Sequence, residues 1–133
     1  TNPEEEKAIR DIEQSLGIEV PVFFYWPGEM FFSSVDIFEE ARSFLIIYTD
    51  TENTIYFEGW KGDSNTSSNG VWQGEGIVEQ VEYNGVVYTI TEIDSNDTEY
   101  YYYVGWTAGE NKFSLSGMKN LDELKKILKN LKN

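Results

Sequence analysis

A chain of 133 residues with 40% hydrophobic and 16% aromatic side chains can build one folded core but not two. It has no Cys and no His, which excludes disulfides, thiol and imidazole catalysis, Ser–His–Asp triads, and ordinary zinc or copper sites. The net charge of −14 is uneven: residues 119–133 hold five lysines against Asp122 and Glu123, while the rest holds five basic and 22 acidic side chains, a body that phosphate backbones and anionic lipid repel. Nucleic acid is therefore excluded as a partner.

The chain opens on a helix. In "TNPEEEKAIRDIEQSLG", Asn2 is the N-cap, Pro3 takes the first helical position and Glu4 to Glu6 meet the positive end of the dipole. Ala8, Ile9, Ile12 and Leu16 recur at helical spacing, and Gly17 is the stop. After the Pro27-Gly28 break, "EMFFSSVDIF" reads as a strand. "RSFLIIYTDTENTIYFEGW" reads as two strands around "DTEN", and "GIVEQVEYNGVVYTITE" as a hairpin turning at Asn84-Gly85. "EYYYYVGWTAGENKFSLSG" is a third hairpin around "AGEN". The stretch "KGDSNTSSNG" between them is a polar loop.

"KNLDELKKILKNLKN" closes the chain as a second helix. Asn120 and Glu123 have the form of a capping box, and Leu121, Leu124, Ile127, Leu128 and Leu131 form its stripe. Such a stripe suits packing on the chain's own sheet, or against a partner helix. The pattern predicts a single α+β domain over residues 1–133: one antiparallel meandering sheet of about six to seven strands with an N-terminal and a C-terminal helix packed on it.

Register arguments assign the faces of that sheet. A turn at "AGEN" puts Trp106 opposite Phe113, Val104 opposite Leu115, Gly105 opposite Ser114 and Tyr103 opposite Ser116. Side chains alternate across a strand, so the run Tyr100 to Tyr103 is split. Tyr100 and Tyr102 belong to the core, and Tyr101 and Tyr103 to the other face. In residues 43–60, Phe44, Ile46 and Tyr48 meet Ile55, Phe57 and Gly59 on the core face, while Leu45, Ile47, Tyr56 and Trp60 make the reverse face unusually apolar. Two readings of that patch stand: a helix or loop covers it, or Tyr56, Trp60, Tyr101 and Tyr103 form a binding surface for sugars, peptides or acyl chains.

Little else points at chemistry. Carboxylates are plentiful, yet nothing in the sequence marks the pair a glycosidase needs. "DSNDTE" (94–99) and "GDSNTSSNG" (62–70) have the oxygen-rich alternation of calcium loops but depart from the EF-hand template, so they read as surface turns and no metal or cofactor is expected. "GVWQGEG" lacks the Lys-Ser or Lys-Thr of a phosphate loop. No apolar run approaches the roughly 20 residues of a membrane helix. With "TNPEEE" at its start, the chain reads as a mature or trimmed fragment, attached to a membrane only through an anchor outside it.

Three segments carry a resemblance. "LGIEVPVFFYWPGEMFFSSV", with a V-P segment and the turn Tyr25-Trp26-Pro27-Gly28, is followed by "FLIIYTDTENTIYF" and by "VGWTAGENKFSLSGMKNLDELKKILKNL". Together they resemble the domain-of-unknown-function family 4367, although "GEM" stands where the family usually has an acid before a glycine. The resemblance implies an extracytoplasmic setting in Gram-positive bacteria, behind a lipoprotein signal or a membrane helix. It implies the same two helices and antiparallel sheet, and it carries no catalytic residues. The expected function is a non-enzymatic extracytoplasmic domain for binding or sensing a protein, peptide or cell-wall ligand. The alternative is a carbohydrate- or peptidoglycan-binding module that stacks sugars on Tyr56, Trp60, Tyr101 and Tyr103. A carboxylate hydrolase would need a cleft with two acids of divergent pKa.

Overall fold

Asn2 starts the first helix as the sequence predicts: its side chain accepts from the backbone N–H groups of Glu4 at 2.8 Å and Glu5 at 3.4 Å. The computed structural model describes residues 2–62, 77–94 and 100–133. Helix α1 (Pro3–Leu16) ends at Gly17, whose left-handed backbone (φ 67°) returns its N–H to Glu13 O. Strands β1 (Val22–Phe23), β2 (Phe31–Phe38), β3 (Ser43–Thr49), β4 (Thr54–Trp60), β5 (Ile77–Tyr83), β6 (Val86–Asp94), β7 (Tyr100–Ala108) and β8 (Asn111–Met118) follow, then α2 (Leu121–Lys129) and β9 (Leu131–Lys132). Both candidate calcium loops and the glycine-rich "GVWQGEG" fall almost wholly outside the described residues, as does the side chain of Tyr100.

Seven strands form one antiparallel sheet in the order β2-β3-β4-β8-β7-β6-β5. The fold is α+β, with the meander interrupted once, where β8 returns to pair with β4. Cross-strand partners follow the predicted register: Phe44 faces Gly59, Ile46 faces Phe57, Trp106 faces Phe113, Val104 faces Leu115 and Tyr103 faces Ser116. Short turns enforce this. At Asn84 (φ 54°) and Gly85 (φ 81°) both residues are left-handed, as a tight hairpin whose twist matches its strands requires.

One face of the sheet carries the core. Phe44, Ile46, Ile55, Phe57, Ile90, Val104, Trp106, Phe113 and Leu115 are all at most 1% exposed, and Ile12 and Leu16 of α1 and Leu124, Ile127 and Leu128 of α2 pack in the same cluster. Tyr102 belongs to it, as the alternation argument requires. Gly59 is part of this packing: a Cβ there would lie 2.3 Å from the Phe44 ring, so the missing side chain is what lets that ring cross β4.

Two features differ from the sequence expectation. The second helix stops at Lys129, and Leu131, assigned by periodicity to its stripe, is buried as part of β9, paired with Phe23 of β1. The turn at Asn130 (φ −106°, ψ 16°) breaks the helix while keeping Leu131 pointed into the core. The segment before β2 is also more ordered than its irregular sequence suggests. Phe23 packs edge-on against Tyr48 and Phe57 and Trp26 tilts against Phe23 and Tyr48, with centroids 4.6–6.2 Å apart, and Tyr25 is held to α2 by a 2.6 Å hydrogen bond to Glu123 and by Lys126 Nζ 4.6 Å from its ring centroid.

Candidate functional site

The other face of the sheet can be read row by row from the register. One row runs Asp36, Leu45, Glu58, Ser114, Gly105, Thr89, Gln80, and the next runs Ser34, Ile47, Tyr56, Ser116, Tyr103, Thr91. The small residues Ser114, Gly105 and Ser116 lie side by side along β8 and β7, Ser114 and Gly105 buried and Ser116 half-buried. Both helices pack on the opposite face, and no helix among the described residues lies over this one.

Tyr56, Trp60, Tyr101 and Tyr103 all fall on this face. They differ in what they offer a ligand. Tyr56 is 41% exposed, Tyr101 and Tyr103 are half-buried, and Trp60 is only 8% exposed, its ring largely withdrawn from solvent. Tyr56 and Tyr101 line a depression of about 240 Å³ with Thr54, Ser116, Gly117 and Lys119. The depression exists because β8 is bulged: Tyr103 pairs with Ser116 and Tyr102 with Met118, leaving Gly117 over. Gly117 takes φ 111°, a conformation side chains rarely adopt, and a Cβ there would lie 2.3 Å from the carbonyl oxygen of Thr54. A second depression of about 260 Å³ adjoins across Asn53 and Lys119 and is bounded by the Pro27-Gly28 turn.

Sequence reasoning found the aromatic walls but missed this floor. The glycine in "SLSGMK" was the available clue, since an isolated Gly in a strand often marks a bulge.

The face also holds two polar groups in apolar surroundings. Burial of Glu58 between Leu45 and Ser114 raises its carboxyl above the ordinary value of 4.5. The Thr91 hydroxyl is buried and has no hydrogen-bond partner among the described residues. Asp50 is shifted the other way, lowered by the backbone N–H groups of Glu52 and Asn53 that it accepts in the "DTEN" turn. That is the chemistry of a turn carboxylate. Among the described residues no group of three or more acidic side chains is placed to hold a metal ion.

A larger cleft of about 990 Å³ opens at the end of the sheet, between the Asn84-Gly85 and Gly109-Glu110 turns, the end of α1 and β9. Lys61 closes one side by donating to Gly17 O at 2.7 Å. Asn133 accepts from the Trp106 indole N–H at 2.8 Å and donates to the Tyr88 hydroxyl at 3.0 Å, satisfying two polar atoms of core residues.

The fold is an α+β domain whose sheet face opposite the helices carries an aromatic depression, with no helix among the described residues over it. The chain belongs to the family of domain of unknown function DUF4367, whose model matches residues 20–131. That match spans the sheet and α2 and leaves α1 outside it. Comparison with curated proteins and with solved structures finds no match.

Proposed function

We propose that this chain is a non-enzymatic extracytoplasmic domain that binds or senses a ligand through the aromatic half of the sheet face opposite its helices. The observation that carries the reading is the depression between Tyr56 and Tyr101, floored by Ser116 and Gly117. Aromatic side walls over a small polar floor suit a flat, hydroxylated or amide-bearing group, because the rings bury area at little entropic cost while Thr54, Asn53 and Lys119 supply polar partners. The acidic body speaks for a neutral or cationic ligand and against phosphate-rich ones. The extracytoplasmic assignment rests on the family resemblance, and membrane attachment then falls to an anchor outside this segment.

A carbohydrate- or peptidoglycan-binding module is the second reading, favoured by the exposure of Tyr56 and by its pairing across Ser116 to Tyr103. It uses three of the four aromatics, since Trp60 presents almost no ring surface.

The test is titration of the protein with muropeptide fragments, chitooligosaccharides and short peptides, followed by amide chemical shifts. Shifts clustered on residues 54–56, 101 and 116–119 and lost in Tyr56→Ser support the reading. Shifts clustered elsewhere, or none with any of the three ligand classes, would overturn it.

A further inference from the structure

The two edges of the seven-stranded sheet are unlike. β5 is guarded: Glu79 is held in a two-oxygen ion pair by Lys125 (2.6 and 2.8 Å), Glu82 stands exposed, and a register shift interrupts the strand between Ile77 and Glu79. β2, "FFSSVDIF", has one charge, Asp36, and no Lys or Pro, the usual devices that stop an edge from pairing. Its bulge lies between Phe32 and Ser34, so Ser34 to Phe38 run in unbroken register against β3. Among the described residues nothing pairs with the outer side of β2. Phe31 and Phe38 are 57% and 48% exposed on the face opposite the helices, while Val35 and Ile37 are half-buried on the core face.

The geometry points to the outer edge of β2 as a docking site for an extended polypeptide segment of alternating apolar and basic residues, which adds to the sheet as an eighth strand. Backbone groups of the edge supply a hydrogen-bond ladder; the partner's apolar side chains cover Val35 and Ile37 on the core face, and its basic side chains lie beside Asp36 and Phe38 on the other. Charge decides the rest of the partner. A basic side chain beside Asp36 makes a favourable cross-strand pair, and Glu39 and Glu40, which follow β2 directly, extend the acidic strip. A second copy is disfavoured by the same charges, since each chain carries −14. The site lies on the far side of β3 from the Tyr56 depression and does not depend on it.

The experiment uses a fluorescein-labelled ten-residue peptide of alternating valine and lysine, its valine–glutamate counterpart, and a valine–lysine version with two central prolines, all at 150 mM salt to screen loose attraction. Anisotropy gives affinity, and amide hydrogen exchange locates the contact. The valine–lysine peptide binds and slows exchange at 34–38, and the proline version does not bind. Asp36→Lys weakens that binding about tenfold and lets the valine–glutamate peptide bind, the swing expected when a cross-strand attraction becomes a repulsion. Glu82→Lys, on the opposite edge, changes neither affinity beyond about twofold. Absence of binding, indifference to Asp36→Lys, or protection at β5 instead of β2 would each overturn the assignment. So would β2 protection in a peptide-free dimer, which would give the edge to a second copy.

Discussion

The hydroxyl of Tyr48, at the end of β3, donates a 2.6 Å hydrogen bond to the carboxylate of Glu5 in the first turn of α1. The bond ties the N-terminal helix to the sheet at a point where the ring is buried and the carboxylate is half-exposed. Burial first, then this hydrogen bond, then the Glu5 charge push the Tyr48 hydroxyl well above its ordinary value of 10.0. A folded-state pKa above the unfolded one gives stability that is complete below pH 10.0 and is lost as pH rises beyond it. Tyr48→Phe is expected to cost about 1–2 kcal/mol at pH 7. It should also remove from the stability profile a slope of about 1.4 kcal/mol per pH unit above pH 10. Urea unfolding at pH 7 and at intervals from pH 9 to 11 measures both. An unchanged alkaline slope in the variant would mean that Tyr48 is not the titrating group.

Why the Tyr48 contact could not be read from the sequence shows where such reading stops. Registers such as Trp106 with Phe113 and Ile46 with Phe57 were legible because the turns between their strands are two to four residues long, and a one-residue slip would put the apolar set in water. The split of the tyrosine run followed from the same period-two rule, and so did the shared face of Tyr56 and Tyr103. Contacts between segments far apart in the chain have no such local signal. Tyr25 and Glu123 are 98 residues apart, and Trp106 meets Asn133 only because the fold brings β9 to the end of β7. The pairing of β4 with β8 belongs to the same class: each is strand-like by itself, but nothing local says they are neighbours. The β1–β9 pair is two residues long, too short for any periodicity to reveal.

Thr91 is an internal strand residue, 2% exposed, whose hydroxyl has no partner among the described residues. A buried, unpaired hydroxyl costs about 1–3 kcal/mol, and valine has nearly the same shape without it. Thr91→Val should therefore raise the unfolding free energy by about 1 kcal/mol, read from the urea midpoint at unchanged slope. A loss of stability instead would show that the hydroxyl is bonded in solution.

Glu58 carries the opposite kind of burden. Its carboxyl is raised by desolvation alone, so the folded state resists ionisation more than the unfolded chain does. The sign follows: the folded state is unaffected well below pH 4.5 and is penalised once the pH passes the raised value. Glu58→Gln should stabilise the protein at pH 7 by about 0.5 kcal/mol, a small figure because water still reaches much of the carboxylate. At pH 3 the two proteins should be equally stable. A gain of the same size at both pH values would point to packing of the amide and not to relief of a buried charge.

Gly117 is where the architecture and the aromatic depression depend on one residue. Its φ of 111° and the 2.3 Å approach of the Thr54 carbonyl leave no room for a side chain, because the obstacle is backbone in the neighbouring strand and cannot rotate away. Gly117→Ala is expected to cost about 2–4 kcal/mol, combining strain in φ with displacement of β4. Gly109 makes the control: its φ is 60°, yet a Cβ there meets nothing within 4 Å, so Gly109→Ala should cost only about 1 kcal/mol. The difference between the two combines the contact between β8 and β4 with the added strain of φ 111° over φ 60°. Because that contact sets the floor between Tyr56 and Tyr101, amide shifts of residues 54–56 and 101 should move in Gly117→Ala and stay in place in Gly109→Ala. Equal costs for the two variants would mean that β8 relaxes around the added methyl group and that the bulge does not shape the depression.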